Sequence, residues 1–96
     1  MKSSEQIKRI VAVAVAIAHE NGLHTVTCTA VAKRLDMTHG NVLHHVGTVE
    51  RLRTMTARRA IAERDKTICA NLITTAHPLA AEIPGEFRRE IIGSLA

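Results

Sequence analysis

Apolar residues recur along this chain at helical spacing, and capping residues interrupt the pattern at intervals. Ile7, Ile10, Val11, Ala14, Ile17 and Ala18 fall at i, i+3, i+4 and i+7 steps and line one side of a helix. The Val–Ala alternation within residues 10–18 has the period of a strand, but the wider window fits a helix better. Ser3 or Ser4 supplies the N-cap, and Glu5 lies near the positive end of the helix dipole. Asn21-Gly22 supplies the stop, because Gly22 can take the left-handed conformation.

After a short connector over residues 23–27, Thr27 or Cys28 opens a second helix carrying Ala30, Val31 and Leu35. Asp36-Met37-Thr38 interrupts it, and Thr38 caps a third helix over residues 39–46. Gly47 closes that segment and Thr48 caps a fourth helix beginning near Val49. The fourth reads as long, with Leu52, Met55, Ile61, Ile68, Leu72 and Ile73 along its face, and a break near Asp65. Pro78 and Pro84 each suit the first position of a short helix. Phe87, Ile91, Ile92 and Leu95 then share one side of a final helical segment. The chain reads as all-α.

Residues 1–9 are basic on balance, and Ala16-Ile17-Ala18 has the A-x-A form of a signal-peptidase site. His19 and Glu20 cut the apolar run short, well below the ~20 residues of a membrane span. A cytoplasmic protein is therefore expected, with no membrane partner.

Composition narrows the classes further. At 96 residues and 46% hydrophobic, the chain is one ordered domain rather than a disordered segment. Two distant cysteines, Cys28 and Cys69, make neither a disulfide framework nor a zinc ribbon. Six histidines invite a metal, but His39/His44 and His19/His24 are i, i+5 pairs, off the i, i+4 step of a helical zinc pair. Neither cysteine has a recognisable activating partner, so an enzyme is not expected, nor a cofactor. The net charge of +4 suits an anionic partner.

The informative stretch is residues 28–48, CTAVAKRLDMTHGNVLHHVGT. Two short helices joined by a tight turn, the second opened by a hydroxyl cap, form the helix-turn-helix pattern. Ala32 falls at the helix crossing, Met37 tucks the turn inward and Val42 anchors the second helix from beneath. Thr38, His39, Asn41 and His44 then point outward, and Gly40 permits close backbone approach. Short polar side chains at the start of such a helix suit base edges in the major groove. Asn41 can bond adenine through two groups, Thr38 can touch a thymine methyl, and the histidines can donate to guanine. Candidate contacts to the DNA backbone are Thr27, Thr29, Lys33, His45, Thr48, Arg51 and Arg53.

From about Ile7 to Leu52 the chain resembles the DNA-binding domain of TetR-type repressors. The resemblance lies in Glu20-Asn21-Gly22, Thr25-Val26-Thr27, Val31-Ala32 with Lys33-Arg34-Leu35, the segment Thr38 to His45, and Gly47-Thr48. It implies a three-helix DNA-binding bundle followed by a fourth helix. Asp36 stands where the family has a turn glycine, Leu43 for a tyrosine, Val46 for a phenylalanine, and Val49 for a phosphate-binding lysine. Residues 49–96 are too short for the family's effector domain, so a small-molecule inducer is not expected. The layout looks more like compact Kor-type repressors of plasmids and phages.

One recognition helix reads only a few base pairs, so a homodimer on an inverted-repeat operator is expected. Residues 1–48 then form the DNA-binding region and residues 49–96 the dimerisation region of one compact domain. Ile68, Leu72, Ile73, Phe87, Ile91, Ile92 and Leu95 are the expected interface. The function this implies is transcriptional repression, with room for a second regulator protein as partner. The rival reading is a helical protein–protein adaptor whose helix-turn-helix does not bind DNA.

Overall fold

The computed structural model describes residues 3–95. Its spine is α1 (Ser3–Asn21), which buries Ile10, Val11, Ala14, Ile17 and Ala18 along one side. Ser3 and Ser4 already lie inside α1, so its capping position falls outside the described residues. The helix stops where Gly22 takes φ +100°. A 3-10 turn over Leu23–Thr25 follows, its end held by the Thr25 hydroxyl, which donates to the Gly22 carbonyl at 2.7 Å.

Hydroxyl caps open α2 (Cys28–Leu35), α3 (His39–Val46) and α4 (Val49–Ala62). Thr27, Thr38 and Thr48 each accept a backbone N–H from three residues on, all at 3.0 Å. Between α2 and α3 the chain turns on Asp36, which sits in the left-handed region at φ 55°, ψ 45°. Aspartate tolerates this left-handed geometry better than most side chains, and Met37 N–H closes the turn onto the Ala32 carbonyl at 2.9 Å. Gly47, at φ 88°, ends α3.

The fourth helix is shorter than its apolar pattern predicts. It ends at Ala62, and Arg64 reverses the backbone at φ 57°. Asp65 then caps α5 (Lys66–Thr74) by accepting the Ile68 N–H at 3.0 Å. His19 of α1 meets the same Asp65 carboxylate at 3.0 Å, tying the new helix to the spine. Pro78 opens a second 3-10 segment, Pro78–Glu82. Pro84 does not open the last helix from within; α6 (Gly85–Leu95) begins one residue later, and Pro84 contributes its carbonyl to Arg88 N–H.

One core cluster draws on α1 through α6, so the expected DNA-binding and dimerisation regions share an interior among the described residues. Where α1 packs on α4, each buries alanines, Ala14 and Ala18 on one and Ala57 and Ala60 on the other. Small side chains let the two helix axes come close. The final helix corrects the expected face. Phe87 and Ile91 are buried, whereas Ile92 and Leu95 are 47% and 53% exposed. Each residue turns 100° about the helix axis, so Ile92 leaves the side that Ile91 occupies.

Among the described residues the elements are all helical, and no helix is long and apolar enough to cross a membrane.

Candidate nucleic-acid interface

The α2–α3 pair is held from beneath and open above. Ala32, Val42 and Val46 are buried, so the outward side of α3 is fixed by the residues that anchor its inward side. His39, Gly40, Asn41, Leu43 and His44 are all exposed on it. No acidic residue occurs between His39 and Val46. A base edge approaching this surface therefore meets donors and acceptors without carboxylate repulsion from α3 itself.

Gly40 lies in the first turn of α3. A methyl group built onto it meets nothing within 4 Å, and no positive φ demands a glycine there. Glycine is a weaker helix former than alanine. Among the described residues nothing packs against Gly40, so the helix surface there is bare and open to close approach.

Beside α3 lies a groove of about 530 Å³, lined by Thr27, Thr29, His39, Leu43, Val49 and Arg53 among others. The first turns of α2 and α4 both border it, with Cys28 and Val49 at their first positions. Helix N-termini carry partial positive charge and free N–H groups, so two of them on one groove favour an anion such as phosphate. Glu50, the acid in the first turn of α4, does not line it. Sequence reasoning found the two caps but missed the groove, including the part of its wall formed by Leu43 and Val49. Its only sequence signal was the pair Thr27 and Thr48, whose proximity depends on the fold.

The expected contacts divide on inspection. Thr27, Thr38 and Thr48 use their hydroxyl oxygens as caps, which leaves each hydroxyl proton available as a donor. Thr29 and Lys33 are exposed on α2. His45 is half-buried, with the His44 ring edge-on at 5.6 Å between centroids. Arg51 is exposed, makes no ion pair among the described residues and lies over Gly47. Arg53 has partners within the chain. Its guanidinium donates to the carbonyls of Val26 at 2.9 Å and His24 at 3.1 Å, which ties α4 to the segment before α2.

The other arginines of α4 also have local partners. Arg58 pairs with Glu82 at 3.0 Å and Arg59 with Glu63 at 3.1 Å. The Arg58 hydrogen bond holds the Glu82 carboxyl below its ordinary value. Arg34 is drawn to Glu20, at the end of α1, at 2.7 Å.

No family model, curated protein or solved structure matches the chain.

The chemistry of the interface thus rests on its own residues. Burial raises the Cys28 thiol, with nearby Arg53 opposing, and pushes Cys69 up to about 11, with Asp65 adding to the rise. Both thiols stay protonated at neutral pH and are poor nucleophiles in that form. Among the described residues, no cluster of three or more His, Cys, Asp or Glu is placed to hold a metal ion.

The expected dimer face is largely used within one chain. Ile68, Leu72, Phe87 and Ile91 belong to the protomer's own core, and Ile73 is half-buried against it. Of that set only Ile92 and Leu95 remain exposed.

Proposed function

We propose that this chain is a sequence-specific DNA-binding protein that places α3 in the major groove, acting as a homodimeric repressor on an inverted-repeat operator. The observation that carries the reading is the outward side of α3: His39, Gly40, Asn41 and His44 exposed together, free of acids, on a helix anchored by Val42 and Val46. The two helix N-termini bordering the adjacent groove supply the complement for a phosphate. The net charge of +4 and the resemblance of residues 7–52 to TetR-type DNA-binding domains point the same way.

Dimerisation follows from interface size. A single module buries roughly 600–1,000 Å² on DNA, whereas two copies related by a twofold axis present two helices about 34–36 Å apart. Ile92 and Leu95 of α6 are the apolar residues left to meet a second copy. Bound to promoter DNA, such a dimer represses by occupying it.

The test is fluorescence anisotropy with duplex DNA from immediately upstream of the chain's own coding sequence, against a shuffled duplex of equal composition. Preference for the native duplex at several salt concentrations, lost in Asn41→Ala, is the expected result. Absence of binding to either duplex at low salt would overturn the reading and favour the adaptor.

A further inference from the structure

Three large apolar side chains are exposed among the described residues, and one of them, Leu43 at 38%, lies on the outward side of α3. Its exposed neighbours on that helix, His39, Asn41 and His44, are polar, and Gly40 is bare. His39 and Leu43 are i, i+4 neighbours, and both line the groove between α3 and the starts of α2 and α4. Val49 continues the apolar wall, and Thr29 brings a methyl as well as a hydroxyl. The groove's lining is mostly carbon even though its rim carries two helix N-termini. Polar base edges gain little from such a wall, and a buried edge facing Leu43 would lose hydration without a partner.

Only one kind of base substituent in the major groove is apolar: the C5-methyl of a pyrimidine. Resting on the DNA-binding reading above, we infer that Leu43 is a specificity-determining residue that receives a pyrimidine C5-methyl group, in thymine or in 5-methylcytosine. His39, one turn earlier on the same side, contacts the polar edge of the same or the adjacent base pair. Arg53, also on the groove wall, keeps the α2 end of the groove in place through its two carbonyl bonds. The selectivity is for the methyl itself, since the wall offers no donor or acceptor at Leu43.

The experiment uses the full chain and a randomised duplex pool, from which the tightest-binding sequences are enriched. Each enriched duplex is then prepared in three forms: with thymine, with deoxyuridine in its place, and with 5-methylcytosine replacing cytosine. Deoxyuridine keeps every hydrogen bond of thymine and removes only the methyl. Anisotropy is read for the wild type, Leu43→Ala and Leu43→Asn, with circular dichroism as the check on folding.

Burial of one methyl corresponds to about a four-fold change in affinity. The wild type is therefore expected to bind the deoxyuridine form about four-fold more weakly, or the 5-methylcytosine form about four-fold more tightly. The first outcome assigns thymine and the second 5-methylcytosine. In both variants the ratio falls to about one. Sequence-selective binding that is equal for all three forms overturns the inference, as does methyl sensitivity that survives in Leu43→Ala. A pool from which no sequence is enriched overturns the DNA-binding reading itself, and this inference with it.

Discussion

The side chain of Arg53 reaches back from α4 to donate to the carbonyl of Val26 at 2.9 Å. A second bond from the same guanidinium goes to His24 at 3.1 Å. These carbonyls lie just before the Thr27 cap, so Arg53 ties α4 to the segment that leads into α2. Replacing Arg53 by alanine should cost about 2 kcal/mol, because charged donors make the stronger hydrogen bonds. The loss should lower the melting temperature of so small a domain by about 10 °C in a calorimetric scan. Arg53→Lys should recover little, since an ammonium cannot span both carbonyls as the guanidinium does.

Arg51 should behave in the opposite way. It is exposed, makes no ion pair among the described residues and lies in the first turn of α4. Arg51→Ala should leave the melting temperature within about 1 °C, as surface changes away from special features do. It should weaken binding to all DNA sequences alike and lower the slope of log K against log salt by about one. An unchanged slope would place the phosphate contact elsewhere.

Gly40 offers a change that separates folding from binding. With open space around its Cα, Gly40→Ala should stabilise α3 by about 0.5–1 kcal/mol, seen in a urea titration. The added methyl should weaken binding to the preferred duplex by about ten-fold, the cost of crowding a close interface. A variant that is both more stable and a better binder would show that α3 does not approach its partner there.

The C-terminal helix calls for substitutions rather than truncation. Removing residues 85–96 would strip Phe87 and Ile91 from the core, and loss of a buried phenylalanine alone costs about 3–5 kcal/mol. The double change Ile92→Asp, Leu95→Asp touches exposed positions only. It should keep the helical circular dichroism spectrum and yield monomers by light scattering. A dimer that survives it would put the twofold contact on another surface.

Much of the local structure is legible in the sequence because it depends on interactions within one helical turn. Thr27, Thr38, Thr48 and Asp65 each accept the backbone N–H of the third residue on, so the starts of four helices are written in the chain itself. The stops at Gly22 and Gly47 are equally local, and Asp36 takes a left-handed turn at φ 55°. The largely polar outward side of α3 follows from the burial of Val42 and Val46, one helical turn apart on its inward side.

Tertiary structure decided what those helices share. Arg53 finds its acceptors 27 and 29 residues away, and no periodicity distinguishes such an arginine from a phosphate-binding one. The break near Asp65 is legible in the sequence, but how sharply Arg64 and Asp65 fold the apolar run, so that Ile68 and Leu72 enter the chain's own core, is not. Likewise Phe87 and Ile91 went inward while Ile92 and Leu95 stayed outside, a choice made by where α6 lands on its neighbours. Hydrophobic spacing says which residues can be buried together, whereas the packing of distant helices determines which of them are.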